Sequence, residues 1–181
     1  MENAFEKQGI EFKTITNDMI PSVTDFLWDH FFPDEPIGRS LGFTRSWFLD
    51  EFYLADAMKD GSSIAALDKD GNIIGARIGA RKMRSKWMSW IFDRMAFYLP
   101  SFLMPKGMPT MMKLINLLEF DVWKMFDQLG CDLIYEDKAV CSARTSGVKG
   151  LGTELCKRSE SLAKELGCTH TYALVTGSTS I

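Results

Sequence analysis

The sequence predicts an α/β domain of the α+β kind, with a mixed sheet and helices packed on it. Three observations lead there. Strand-type alternation and helix-type spacing take turns in the order β-α-α-β-β-(helical insert)-β-α-β. An Asp-Gly ending in Asp68-Lys69-Asp70-Gly71 is a strong hairpin signal between two of the strands. A strand, a glycine-rich turn, a helix and a strand then follow one another in the last third of the chain. The 181 residues suffice for one domain with a real core, and 46% hydrophobic with 25% charged residues is an ordinary globular composition. A net charge of -3 gives no global attraction to nucleic acid or acidic lipid.

Gly9 to Ile15 alternates apolar and polar residues, with Ile10, Phe12 and Ile15 expected to face inward, and reads as the first strand. Asn17 and Asp18 are suitable caps for a helix from about Asp18 to His30, and Pro21 is tolerated in its first turn. Val23, Phe26, Leu27 and Phe31 form its apolar face. Phe31 to Phe43 contains two prolines and two glycines and is expected to be a loop. Arg45 to Lys59 carries Trp47, Phe48, Phe52 and Ala55 at helical spacing, which predicts a second helix. Ser62 to Leu67 and Asn72 to Gly79 are the hairpin strands.

Arg77, Arg81, Lys82, Arg84 and Lys86 lead into an insert over about residues 84–129, rich in methionine and aromatic residues and broken at Pro100, Pro105 and Pro109. Asp93, Arg94, Lys106 and Lys113 interrupt it, so no membrane-spanning run is expected. The residues from Trp87 through Trp90, Phe97 and Phe102 to Met112 fit three readings: a self-packed core or lid, an aromatic-lined acceptor pocket, or a membrane-surface helix behind the basic run. After Gly130, Asp132 to Ala143 is a strand and Ser146 to Gly152 a glycine-rich turn. Leu151, Leu155, Leu162 and Leu166 mark a helix face ending at Gly167, and Thr169 to Val175 is the last strand.

The cysteines at 131, 141, 156 and 168 form no CxxC pair, and the two histidines join no thiol-rich cluster, so no metal site is expected. His30 is expected as a charge at a helix C-terminus, His170 as a packing residue and Cys141 as an ordinary strand residue. The opening MENAFEKQGIEFK has no apolar h-region, so no signal peptide is expected. Reduced thiols and a cytoplasmic location follow as expectations.

Chemistry concentrates in AVCSARTSGVKGLGTEL, residues 139–155. Gly147, Gly150 and Gly152 permit a tight turn and close approach of a ligand to the backbone. The amides of Lys149 to Thr153 would then sit at the positive end of the following helix, an arrangement suited to a phosphate. Thr153-Glu154 after the last glycine excludes a P-loop, and Leu155 breaks the dinucleotide fingerprint. On the glycines alone, a tight turn that binds nothing fits equally well.

This loop resembles the acetyl-CoA loop of the GNAT acetyltransferases, Gln/Arg-x-x-Gly-x-Gly/Ala. Gly147-Val148-Lys149-Gly150-Leu151-Gly152 fits from its second position onward. Gly147 replaces the usual Gln or Arg, and Lys149 or Arg144 is left to supply the missing charge. A second segment, FFPDEPI (Phe31 to Ile37), resembles the arylalkylamine N-acetyltransferases of invertebrates, which include dopamine- and serotonin-acetylating enzymes. The resemblance implies a single GNAT-like domain over residues 1–181, with the helical insert after the third strand and the acetyl-CoA loop and helix at about 139–166. It further implies acetyl-CoA as co-substrate and no metal. The acyl end would lie along the backbone of Val140, Cys141 and Ser142, and the phosphates on Val148, Lys149, Gly150, Leu151, Gly152 and Thr153.

Glu35 takes the position of the family's base, with Asp34 as its structural neighbour. A carboxylate between two prolines and beside Phe31 and Phe32 has the chemistry to take a proton from an amine. Without the resemblance, Glu35 reads as a solvated loop carboxylate or a helix cap. Ser180 matches the serine proposed in the family to protonate the departing thiolate.

Family members continue past this point with a helix and two further strands, so the resemblance implies a fold lacking the C-terminal strands. The sheet edge left open would allow self-association. The expected function is transfer of acetyl from acetyl-CoA to the primary amine of an arylalkylamine such as a biogenic monoamine. The alternative is a truncated, weakly active or inactive form acting as a CoA-binding or interaction module. The expected partner is a small-molecule amine, with neither nucleic acid nor a membrane span involved.

Overall fold

In a computed structural model that describes residues 5–47, 49–84, 106–107, 109–110, 113–114 and 122–174, five strands lie side by side in chain order. They are β1 (Glu11–Thr14), β2 (Ile64–Leu67), β3 (Ile73–Met83), β4 (Leu133–Ser142) and β5 (His170–Ala173). The first three neighbouring pairs are antiparallel, whereas β4 and β5 run parallel. The sheet is therefore mixed, as the alternation pattern predicts. Gly71, with φ 82°, makes the hairpin turn between β2 and β3.

The helices are α1 (Ile20–His30), α2 (Pro36–Leu41), a π-wound run Leu49–Ala55 passing into one α turn at Asp56–Met58 (α3), α4 (Val122–Leu129) and α5 (Leu151–Glu165). They cover both faces of the sheet. Val23, Phe26 and Leu27 of α1, with Leu54 of the π-wound run and Met58 of α3, pack on Ala76, Ile78, Ala139 and Cys141. On the other face, Leu151 and Leu155 of α5 meet Ile10, Ile64, Ala66 and Ile74. Each of those two leucines is essentially fully buried, a contribution of about 1.5–3 kcal/mol apiece.

Several expectations need correction. Ile10 and Phe12 face α5, but Ile15 belongs to the α1 face, because it has the opposite parity along the strand. Asn17 and Asp18 do not cap α1. They occupy a turn closed by Met19 N–H on the Thr16 carbonyl, and Met19 is the cap. The Phe31–Phe43 segment contains a helix, α2. Glu35, with extended φ/ψ of -69° and 115°, accepts a hydrogen bond from Gly38 N–H, Pro36 opens the first turn and Gly42, at φ 66°, ends the helix. Trp47, one of the residues whose spacing predicts the second helix, is 69% exposed. Phe48 and the Phe52 side chain lie outside the described residues.

Strand β3 runs on to Met83, so Arg77, Arg81 and Lys82 are strand residues and do not lead into the insert. Of the insert, α4 buries Phe126, and Gly107 (φ 81°) lies so close to α2 that an added Cβ would meet the Leu41 carbonyl at 2.7 Å. The methionine and aromatic residues from Trp87 to Met112 lie outside the described residues, as does the end of the last expected strand at Val175. The cysteines at 131, 141, 156 and 168 are all unpaired as disulfides. No helix of the described residues is long and apolar enough to cross a membrane.

Candidate functional site

Among the described residues, strand β4 is paired further along one side than along the other. Its pairing with β3 continues to Ser142, but its pairing with β5 ends at Asp137 with Ala173. Among the described residues, the β5-facing edge of β4 from Lys138 to Ser142 therefore has no ladder partner, and its amides and carbonyls are available there. Ala139 pairs with Ile78 and Asp137 with Gly79, which leaves Lys138 as an extra residue, a β-bulge. The bulge changes which face each residue serves. Before it, Tyr135 reaches Ser159 on α5; beyond it, Ala139 and Cys141 join the α1 core.

The chain leaves β4 through Ala143, whose N–H donates to the Ile74 carbonyl, and a 3-10 turn at Arg144–Ser146. Gly147 (φ 63°) and Gly150 (φ 78°) take left-handed conformations that other residues rarely adopt. Gly150 is the N-cap of α5 and supplies no side-chain acceptor, so the first-turn amides lack an intrahelical partner. Gly152 is different. It is helical, where glycine costs about 0.5–1 kcal/mol relative to alanine, yet an added Cβ would meet nothing within 4 Å. Packing among the described residues gives no reason for it. Lys149 and Thr153 are exposed beside this turn, Val148 is half-buried and the Leu151 side chain is buried.

The FFPDEP segment is held over the same end of the sheet. Phe32 stacks on Trp28 with ring centroids 4.2 Å apart, and the Trp28 indole donates to Asp50 at 2.6 Å. Phe31 meets Phe32 edge-on at 5.4 Å. Phe32, Cys141 and Ala143 share one core cluster. Asp34 pairs with Arg144 at 2.5 Å, which joins this segment to the turn after β4. Both side chains are solvent-exposed, so the bridge marks adjacency more than it stabilises.

Asp34 thus lies beside Arg144, and Phe32 shares a cluster with Cys141 and Ala143, while Glu35, the next residue after Asp34, turns onto α2. Glu35 is half-buried, and its Oε2 caps Gly38 N–H. Val140 is half-buried, Cys141 buried and Ser142 exposed. Burial first, and Asp34 second, push the Cys141 thiol up to about 12, so it remains a protonated strand residue at neutral pH. His30 ends α1 against the Phe26 ring, and His170 contacts the Thr169 hydroxyl through Nδ1 at 2.9 Å. Arg144 is engaged by Asp34, which leaves Lys149 as the exposed cation on the turn itself. Ser180 lies outside the described residues. Among those residues no group of three His, Cys, Asp or Glu could hold a metal ion.

Two charged clusters beside this edge were not anticipated. On the α5 face Arg77, 5% exposed, pairs with Asp137 at 2.8 Å and lies 4.0 Å from Glu160. On the α3 face Glu136 Oε2 meets Lys138 at 3.0 Å and Lys82 at 3.4 Å, with the Lys138 ammonium 4.6 Å from the centre of the Tyr53 ring. Burial alone would raise the Glu136 carboxyl; Lys138 and Lys82, with a hydrogen bond from Tyr172, outweigh it and hold it at about 2. The available signal was Glu136-Asp137-Lys138, three consecutive charges within a strand covered on both faces.

Comparison of the sequence with family models and with curated proteins returns no match. Solved structures do resemble the fold. Arylalkylamine N-acetyltransferase 2 from Aedes aegypti superposes with a TM-score of 0.81 at 26% identity, over 94% of this chain and 78% of that one. A mosquito arylalkylamine N-acetyltransferase-like protein, 5b, gives 0.78 at 19% identity, with the same coverage of 94% and 78%. A Drosophila melanogaster polyamine N-acetyltransferase that forms N-acetylagmatine gives 0.76 at 16% identity, again over 94% and 78%.

Proposed function

On the GNAT fold that this chain has, we propose that it transfers an acetyl group from acetyl-CoA to the primary amine of an arylalkylamine such as a biogenic monoamine. The observation that carries the reading is the joining of the FFPDEP segment to the turn after β4 through Asp34 and Arg144. It supports an arrangement in which Glu35, the edge of β4 and the N-terminus of α5 serve one substrate. The open position at Gly152 supports a ligand that lies directly on the first turn of α5.

Acetyl-CoA supplies the activated acyl group as a thioester. The amides of Lys149 to Thr153 hold its phosphates, and Val148 to Leu151 shape the turn beneath them. The free backbone edge at Val140, Cys141 and Ser142 receives the acyl end and donates to the carbonyl oxygen as negative charge develops there. Glu35 takes the proton from the ammonium of the acceptor, directly or through water, with Oε1, since Oε2 caps α2. The free amine forms the C–N bond, the C–S bond breaks with its electron pair going to sulfur, and Ser180 gives a proton to the departing sulfur and is restored, through solvent, by the proton that the new amide nitrogen sheds. The aromatic surface of Trp28, Phe31, Phe32 and Tyr53 supports an aryl-bearing acceptor.

The test is release of free CoA thiol from acetyl-CoA with tryptamine, dopamine or octopamine. Glu35→Gln keeps an oxygen for the cap and removes the base. It should lower kcat by about 10²- to 10⁴-fold with acetyl-CoA affinity intact. One observation favours a second reading: Glu35 already has a structural task as the cap of α2. If the chain binds acetyl-CoA and turns over no amine, it is a CoA-binding or interaction module and Glu35 is a cap alone.

A further inference from the structure

The acceptor side of the β4 edge holds several carboxylates, and the described ones are already engaged. Asp34 is taken by Arg144 and Asp50 by Arg45 and the Trp28 indole. Glu35 caps α2. Glu136, two residues before the unpaired edge of β4 begins at Lys138, has both lysines on the same Oε2. The bulge is what delivers the nearer lysine. As the extra residue at the point where β5 departs, Lys138 turns its side chain towards Tyr53 and folds back onto Glu136. Glu136 and Lys138 are each only 13% exposed, so the pair is fixed, and Lys138 sets it against Tyr53, which the acetyl-transfer reading assigns to the acceptor.

An amine with a second cationic end, such as a diamine or a guanidinoamine, needs a carboxylate for that end once water is removed from it. We propose that Lys138 sets acceptor specificity: by occupying Glu136 it withholds that carboxylate from a distal cation and restricts acceptors to amines with an uncharged tail. This rests on the acetyl-transfer reading and names the substrate class of the same site. Lys138 acts through Glu136 and is a positioning residue. The neighbouring folds include both arylalkylamine and polyamine acetyltransferases, so selection between the two tails has to come from side chains of this kind.

The experiment is steady-state kcat/KM for agmatine relative to tryptamine, measured on the whole chain by thiol release. The parent protein should prefer tryptamine by at least about tenfold, and Lys138→Met should shift the ratio about tenfold towards agmatine, mainly through a lower KM. Lys138→Arg, which keeps the pair, should retain the parent ratio. Glu136→Gln added to Lys138→Met should cancel the gain. A cooperative thermal melt of each variant separates specificity from misfolding, and Glu136→Gln/Lys138→Met removes the buried carboxylate left to Lys82 alone if the single variant melts early. Equal use of both amines by the parent, an unchanged ratio in folded Lys138→Met, or a gain that survives loss of Glu136 would each overturn the proposal while leaving acetyl transfer standing. No turnover of any amine would overturn both.

Discussion

Gly75 lies on β3 where the first turn of α5 crosses the sheet, and replacing it with alanine tests how that turn is seated. A Cβ there would stand 3.0 Å from Leu155 Cδ1, 3.1 Å from Leu151 Cδ2 and 3.3 Å from the Cys141 carbonyl oxygen. Ordinary contacts between carbons lie at about 3.5–4.0 Å. The two leucines are 0% and 1% exposed, so their methyl groups have no solvent to move into, and the third neighbour is backbone. The helix itself must lift by several tenths of an ångström. Overpacking of this kind costs about 1–3 kcal/mol, partly offset by about 0.5–1 kcal/mol from removing a glycine within a strand. The expected net loss is about 1–2 kcal/mol, or about 2–8 °C in Tm for a domain of this size. Because the lifted turn carries the amides of Gly150 to Thr153, acetyl-CoA affinity should fall about tenfold, equal to about 1.4 kcal/mol. Urea unfolding followed by tryptophan fluorescence gives the first quantity and titration calorimetry with acetyl-CoA the second. Adding Leu151→Val removes the Cδ2 in the way and should recover part of both losses. Parent-like stability and affinity in Gly75→Ala would refute the argument, as would strictly additive losses in the double variant.

Two further outcomes concern the buried charges. Arg77→Met leaves Asp137 buried without its partner and should cost about 3–5 kcal/mol in urea unfolding, with much of the loss recovered in Arg77→Met/Asp137→Leu; a loss below about 1 kcal/mol would mean that the pair is hydrated and unimportant. The Glu136 carboxyl is held at about 2 against an ordinary 4.5, so its contribution, at most about 3 kcal/mol, is complete above pH 4.5 and lost as pH falls from there towards 2. Unfolding midpoints at pH 5 and pH 3 should therefore converge in Glu136→Gln relative to the parent, and an identical acid slope in both proteins would contradict this origin of acid sensitivity.

The periodic elements were readable because burial imposes the period. The 3.6-residue spacing in α1 and α5 and the Asp-Gly turn each reflect one local rule, and strand order and helix layers follow. The parts misread depend on contacts across the chain or on single backbone angles. Ile15 looks inward like Ile10, but the sheet has helices on both faces, so inward names two directions. Two prolines and two glycines suggested a loop at Phe31–Phe43, whereas Pro36 and Gly42 stand where a short helix begins and ends. In the site, the glycine turn and Glu35 were visible as motifs. The adjacency of their segments depends on Asp34 reaching Arg144 across 110 residues of sequence, from 34 to 144, a contact that no local pattern contains. Lys138 was invisible for a related reason: a bulge is defined by the partner strand's count, which is written elsewhere in the chain.

That extra residue also determines how the chain can change over time. Because Lys138 shifts β4 by half a pleat, its first half answers to the layer under α5 and its second half to the layer under α1. Substitutions from Ala139 onward need not disturb Tyr135 or Asp137, which face α5. A deletion of Lys138 itself would leave a regular ladder, with Ala139 still opposite Ile78 and Cys141 still in the α1 layer, and would remove only the bulge and its lysine. The strand tolerates new letters on either side of Lys138 independently, and Lys138 is the residue whose loss keeps both layers in place.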